Sequence, residues 1–235
     1  MKLQDNGAEN INLVTGSHHI PFIADGIRKA KEIGVTVPFC WNSSAYESIE
    51  MLELLKGLVT IWLPDFKTLD KTLSKKLFVA NDYPEVASAA IKWMIDNNSL
   101  EIVEIEKNGE VREKMESGVI IRHLFLPGKF VETADVLEWL KENADGKACI
   151  SLMSQYTPVP FAEDENQLEK RKAALSVIEN RLVNAQEDED LQDLIEAYDF
   201  DYLFYQELSD DTSWLPDFTS TQPFSNKLAK PLWHC

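Results

Sequence analysis

The segment "VTVPFCWNSSAYESIEMLELLKGLVTIWLPDFK" (35–67) decides the fold, because it contains two short apolar runs separated by an amphipathic stretch. The runs "VTVPFCW" (35–41) and "LVTIWL" (58–63) predict strands, and "YESIEMLELLKG" (46–57) predicts a helix between them. Two strands joined by such a helix pair in parallel through a right-handed crossover. The segment therefore predicts one βαβ unit of a parallel sheet or barrel.

The same pattern continues on both sides of this unit. Before it, "NINLVT" (10–15) predicts a strand and "IPFIADGIRKAKEIG" (20–34) predicts a helix that ends at a glycine. These βα units recur at spacings of roughly 23 to 25 residues, which is the length that a parallel crossover needs. After the unit, the apolar patterns predict helices over 82–98 and 133–144 and strands over 118–128 and 147–156.

Two segments depart from this pattern. "EIVEIEKNGEVREKM" (101–115) alternates polar and apolar residues around an Asn-Gly pair, which predicts a β-hairpin at the rim. "EDENQLEKRKAALSVIENRLVNAQ" (163–186) predicts a helix, and residues 186–212 then carry eleven acidic residues and no basic one, which is typical of a solvated acidic face. The last residues, 213–235, contain many aromatic residues and prolines, so we expect them to lie irregularly against the domain.

Composition excludes several classes of function. The chain carries 40 acidic and 23 basic residues and a net charge of −17, which disfavours nucleic acid and anionic membranes as partners. No apolar run approaches the roughly 20 residues that cross a bilayer. Cys40, Cys149 and Cys235 lie far apart in the sequence, which favours a reduced compartment over a disulfide framework. We therefore expect a cytoplasmic protein that is soluble and binds neither nucleic acid nor membrane.

The predicted strands end in polar or turn-forming residues. In α/β barrels the loops that follow the strands converge on one mouth, where binding and chemistry are built. We therefore expect the functional residues in five strand ends: "TGSHH" (15–19), "WNSSAY" (41–46), "PDFK" (64–67), "RHLFLPG" (122–128) and "MSQYTP" (153–158).

These segments resemble a known family over almost the whole chain. "GAENINLVTGSHHIP", "VPFCWNSSAYES", "IWLPDFKTLD", "VIIRHLFLPG", "SLMSQYTPV" and the terminal "QELSDDTSWLPDFTSTQPFSNKLAKPLWH" look like the later part of radical S-adenosylmethionine (SAM) proteins related to pyruvate formate-lyase activating enzyme. The resemblance implies a partial (β/α) barrel, a [4Fe–4S] cluster and SAM. It also implies reductive cleavage of SAM to a 5′-deoxyadenosyl radical that abstracts hydrogen, often from a glycine of a partner enzyme.

The sequence departs from the family at the cluster. The family's CxxxCxxC loop follows its first strand, and no such spacing exists here, so the first βα unit is predicted to be missing. Thiolates hold such clusters, and no metal site is predicted from the remaining cysteines. The fold class expected is α/β: a partial (β/α) barrel of the radical SAM, TIM-like type over residues 1–160, and a helical acidic C-terminal extension with an aromatic tail over residues 161–235.

The resemblance implies roles for the residues at the strand ends. Lys67 would pair with the carboxylate of SAM, Asp65 would hold the polar network, and Arg122 would reach the cofactor. The other residues implied in cofactor binding are Asn42 and Ser43 near a cation or the ribose, Gln155 and Tyr156 beside the adenine, and Ser17 and His18 in place of a Gly-Gly-Glu stretch.

Each assignment has a structural alternative. Asp65 and Lys67 would serve equally as a rim salt bridge, which contributes only about 0 to 1 kcal/mol. Arg122 would serve equally as the partner of a core carboxylate, since a guanidinium is costly to bury alone. His18 and His19 would be solvent-facing loop residues.

Three functions remain open at this point. The first is the catalytic half of a radical enzyme, with a protein substrate of the glycyl radical type and a missing N-terminal segment. The second is a non-catalytic protein that binds an adenylated ligand or a protein partner. The third is a barrel enzyme that uses Asp65 and Lys67 as acid and base. Because the first unit is predicted to be missing, the strand at 10–15 would expose an edge, and we expect self-association through it.

Overall fold

The computed structural model describes residues 1–107, 109–158, 165–206 and 208. Its strands are β1 (Ile11–Val14), β2 (Phe39–Ser43), β3 (Ile61–Pro64), β4 (Glu101–Lys107), β5 (Glu110–Leu124), β6 (Cys149–Met153) and β7 (Leu203–Gln206). Its helices are α1 (Lys2–Asp5), α2 (Ile20–Glu32), α3 (Ile49–Glu53), α4 (Lys71–Phe78), α5 (Tyr83–Asn97), α6 (Phe130–Asn143), α7 (Glu165–Leu175) and α8 (Ala185–Tyr198), with a short 3₁₀ helix at Ser17–His19. None of the helices in this part of the chain is long and apolar enough to cross a membrane.

Six of the strands form a parallel sheet in the order β1-β2-β3-β5-β6-β7, and β4 pairs antiparallel with the first half of β5. Helices connect consecutive parallel strands, as the crossover rule requires. The predicted α/β class and its mostly parallel sheet are confirmed. Among the described strands, β1 pairs with β2 alone, so one of its edges is unpaired.

The two faces of the sheet differ. The outer face packs against the helices, and its central strands carry fully buried side chains there: Trp41 and Trp62 have no exposed surface. His123, which alternates with Arg122, also faces this helix layer and is 3% exposed. Because successive side chains on a strand point to opposite faces, Asn42 and Arg122 lie on the inner face, where they are only half-buried.

Several boundaries differ from the sequence prediction. β2 begins after Pro38 and continues through Ser43, because Asn42 and Ser43 keep the parallel register with Leu63 and Pro64 of β3. The predicted helix over 46–57 shortens to α3. The helix α4 was not predicted, although Asp70 caps it by accepting hydrogen bonds from two backbone N–H groups.

The hairpin is confirmed, but its second strand runs on without a break. β5 continues from the hairpin into the parallel sheet, so the predicted strand over 118–128 is the second half of a 15-residue strand. Gly118 lies at this junction with φ +131°, where a Cβ would lie 3.0 Å from a Leu100 side-chain atom. A glycine fits this position because it tolerates the conformation and the close approach.

The C-terminal segment contributes more regular structure than predicted. The helix predicted over 163–186 ends at Leu175, and α8 begins inside the acidic run behind a capping box formed by Asn184 and Glu187. β7 follows and pairs in parallel with β6. The aromatic tail over 213–235 lies outside the described residues.

Candidate functional site

An ionic cluster forms where β3 ends beside β5. The Asp65 carboxylate contacts both neighbouring cations: Oδ2 accepts a hydrogen bond from Lys67 Nζ at 2.9 Å, and Oδ1 forms an ion pair with Arg122 Nη2 at 2.7 Å. Arg122 Nη2 also donates to Asn42 Oδ1 at 2.6 Å. Four of the residues that the sequence singles out are therefore linked by hydrogen bonds and ion pairs, and Asp65 is the carboxylate that pairs with Arg122.

The backbone around Asp65 is fixed on the strand side. Asp65 N–H donates to Ser43 O at 2.9 Å, and Phe66 N–H donates to Arg122 O at 2.8 Å, so the parallel pairing continues past the end of β3. This extension places Asp65 directly opposite Arg122. The ion pair between them therefore follows from the register of the sheet.

Two buried side chains on the helix side of the sheet hold the same segment from the other side. The Tyr83 hydroxyl donates to Asp65 O at 2.7 Å and accepts from Lys67 N–H at 3.0 Å, and burial raises the pKa of Tyr83. His123 Nδ1 lies 2.7 Å from Phe66 O. Burial lowers the pKa of His123 to about 4, so the ring is neutral, and its Nδ1–H donates to that carbonyl.

The ionic cluster forms the floor of a cavity of about 370 Å³ on the inner face. Asp65, Lys67 and Arg122 supply its charged lining. Its other lining residues are apolar or aromatic: Leu77, Phe78, Leu124, Leu126, Met153, Tyr156, Leu175 and Ile178. We call these eight residues the apolar wall. A cavity of this size with a few convergent polar groups is typical of a small-molecule site.

One donor on the floor has no partner. Arg122 Nε is buried and makes no hydrogen bond with the described residues. Leaving a buried donor unpaired costs about 1 to 3 kcal/mol. Because Nε has almost no accessible surface, an acceptor of a bound molecule reaches it only if the guanidinium shifts.

The remaining predicted residues lie around this cavity or away from it. The hydroxyls of Ser17 and Ser43 donate to the Glu47 carboxylate at 2.6 and 3.2 Å, and neither residue lines the cavity. His18 is exposed beside the end of β1. After β6, Tyr156 lines the cavity and donates to Asn180 Oδ1 at 2.6 Å, whereas Gln155 Oε1 accepts from Gln206 Nε2 at 2.7 Å.

Two polar residues that support the site were not predicted from the sequence. Glu47 is 4% exposed and accepts from three side chains, one of them the Trp41 indole at 3.4 Å. Tyr83 was seen only as part of a predicted helix. A carboxylate in the loop after a strand, as in "WNSSAYES", was the available signal for Glu47; no local signal points to Tyr83.

The described residues do not fit an iron–sulfur cluster. No three His, Cys, Asp or Glu side chains among them lie close enough together to hold a metal ion. Cys40 on β2 and Cys149 on β6 are separated by three strand spacings, or about 14 Å. Burial raises the pKa of Cys40 to about 11 and also raises that of Cys149, which disfavours the thiolate form that binds metal.

No protein-family model matches this chain. It is 26% identical over 198 residues to an uncharacterized protein of Methanocaldococcus jannaschii, an alignment that covers 84% of this chain and 49% of that protein. The chain thus spans about half the length of the curated relative that it matches.

Two solved structures share the fold. A domain of pyruvate-formate lyase-activating enzyme from Bacteroides vulgatus superposes with a TM-score of 0.53 at 10% identity, covering 84% of this chain and 97% of that one. SuiB of Streptococcus suis superposes with a TM-score of 0.50 at 12% identity, covering 88% of this chain and 41% of that one. These similarities confirm the predicted α/β fold.

Proposed function

We propose that this chain is a radical SAM protein of the pyruvate formate-lyase activating enzyme type, and that its cavity binds the SAM molecule. The observation that supports this proposal is the Asp65–Lys67–Arg122 cluster with its unpartnered Nε–H, at the carboxyl ends of parallel strands. Carboxyl ends of parallel strands are where α/β folds bind ligands. A protein substrate of the glycyl radical type belongs to the same proposal.

The residues of the floor would bind the amino-acid end of SAM. Lys67 and Arg122 supply two positive charges and Asp65 one negative charge, so the group favours a carboxylate while Asp65 attracts the ammonium. The apolar wall reduces access of water, which strengthens these ion pairs. Asn42 orients Arg122 through its amide oxygen.

Reductive cleavage of SAM in this family depends on a [4Fe–4S] cluster, which the described residues do not fit. We assign no step of that cleavage to them. The activity therefore requires thiolates from outside the described residues. The same observation favours a second candidate, a non-catalytic protein that binds an adenylated ligand or a protein partner.

Titration calorimetry with SAM tests the binding site. Without iron, SAM lacks the metal bonds of its amino and carboxylate groups, so we expect dissociation constants from millimolar to high micromolar, or about −4 to −6 kcal/mol. Lys67→Ala and Arg122→Ala should each reduce binding below detection. Lys71→Ala is the matched control, because Lys71 pairs with Glu85 outside the cavity.

Adenosine provides a second control, because it lacks the amino-acid end. Its binding should be unchanged in the two floor variants. SAM binding that survives both floor variants would show that the assigned pocket is wrong. Formation of 5′-deoxyadenosine from SAM by protein isolated from its native source under anaerobic, reducing conditions supports the radical enzyme; binding without product supports the second candidate.

A further inference from the structure

The apolar wall offers more apolar surface than a ligand bound only through the charged floor would contact. Eight apolar or aromatic side chains face three charged ones, and they come from separate parts of the chain: α4, the ends of β5 and β6, and α7 with the turn after it. Seven of the eight are half-buried and Phe78 is exposed, whereas the outer-face core is almost fully buried. Apolar surface that stays accessible inside a concave site marks a place where an apolar group binds.

The floor selects the charge of that ligand. Lys67 and Arg122 outnumber the carboxylate of Asp65, so the floor carries one net positive charge. A ligand acceptor that meets either cation forms the stronger hydrogen bond when it is ionised. The whole chain carries −17, so general electrostatics repel anions and only this local charge attracts one.

We propose that the cavity binds amphipathic carboxylates, that is, aliphatic carboxylic acids whose chain is longer than the side chain of an amino acid. The carboxylate lies against the Arg122 guanidinium and Lys67, and the chain lies along the apolar wall. This ligand class goes beyond the proposed function. Because both ligands use the floor, a bound carboxylate excludes SAM.

Calorimetric titration of butanoate, hexanoate and octanoate tests the inference. Each buried methylene contributes about 0.8 kcal/mol, so each step of two methylenes should tighten binding about fifteenfold. Octylamine carries the same tail with the opposite charge and should bind at least tenfold more weakly than octanoate. Equal affinities across the series, or equal affinities for octanoate and octylamine, would overturn the inference.

Variants separate the floor from the wall. Arg122→Gln and Lys67→Gln should each weaken octanoate binding at least tenfold. Because Lys67 lies outside the strands, its variant tests the floor without changing a residue of the sheet. Ile178→Asn should weaken octanoate binding and reduce the gain in affinity for each added pair of methylenes. Val131→Asn is the matched control, since Val131 is 69% exposed on α6 and does not line the cavity. Far-UV circular dichroism checks the fold of each variant.

Parallel titrations distinguish this inference from the proposed function. Octanoate should raise the apparent dissociation constant of SAM in proportion to its concentration. Octanoate binding without SAM binding supports the inference and counts against the proposed function. SAM binding without octanoate binding overturns the inference alone. Simultaneous binding of both ligands would show that they do not share the floor.

Discussion

Replacing Tyr83 with phenylalanine removes one oxygen atom from behind the ionic cluster and leaves the ring in place. The ring is 2% exposed and packs 5.6 Å from the ring of Phe78, so Tyr83→Phe creates no new contact to solvent. The lost hydroxyl makes two hydrogen bonds, one from Tyr83 to Asp65 O and one from Lys67 N–H. Both backbone groups then lose their Tyr83 partner in a half-buried segment.

The expected cost follows from those two groups. Each unsatisfied buried group costs about 1 to 3 kcal/mol, so we expect the free energy of unfolding to fall by about 2 to 6 kcal/mol. That is a large part of the 5 to 15 kcal/mol typical of a domain. Equilibrium unfolding in urea measures it as a lower midpoint with an unchanged slope.

Tyr46→Phe is the matched control. Tyr46 stacks 6.0 Å from Tyr83 and donates to Asp82 Oδ1 at 2.7 Å, but the residue is 43% exposed, so water replaces the lost partner. We expect its cost to stay below about 1 kcal/mol. Tyr83→Phe should also weaken SAM binding, because the backbone of Lys67 is less restrained. Equal, small changes in both variants would refute the idea that Tyr83 holds this segment.

Three further expectations concern other parts of the chain. Light scattering should show self-association that rises with concentration and falls in Val14→Lys, since Val14 is 63% exposed on β1, which has one unpaired edge. A monomer at all concentrations would count against association through that edge. The hydrogen bonds from Arg181 lower the pKa of Glu187 to about 2, so this pair stabilises the fold above pH about 4.5 and its contribution is lost as pH falls towards 2. Glu187→Gln should therefore reduce this acid dependence, whereas Glu189→Gln on the exposed side of α8 should not. Anaerobic reconstitution with iron and sulfide should yield no [4Fe–4S] cluster, and cluster absorbance that is lost in Cys40→Ala would contradict this expectation.

The parallel sheet was predictable because its signals are local. Apolar runs of strand length alternate with amphipathic helices, and the Asn-Gly pair marks the hairpin. Register is not local, which is why β2 was predicted to end at Trp41: only pairing with Val14 and Pro64 extends it through Ser43. β7 was missed because "LFYQ" is short and lies inside an acidic run.

The candidate site was likewise predictable only in part. The segments that contain Asp65, Lys67 and Arg122 were predicted as strand ends, and parallel pairing brings those segments together. The roles of the three residues in cofactor binding came from the family resemblance and stay predictions. The apolar wall was not predicted, since residues such as Leu77 and Ile178 reach the cavity only through the packing of α4 and the segment after α7. No periodicity in the sequence records that packing.

Asp65 limits how tightly the floor alone can hold any ligand. Both of its carboxylate oxygens already pair with the cations, so a ligand carboxylate must share Lys67 and Arg122 with Asp65. A charge-assisted hydrogen bond contributes about 1.5 to 3 kcal/mol net, which corresponds to no more than about a hundredfold in affinity. Further affinity has to come from burial of apolar surface or from groups outside the described residues. For a SAM-type ligand those groups would be the metal ligands, and for a free carboxylic acid they would be the side chains of the apolar wall.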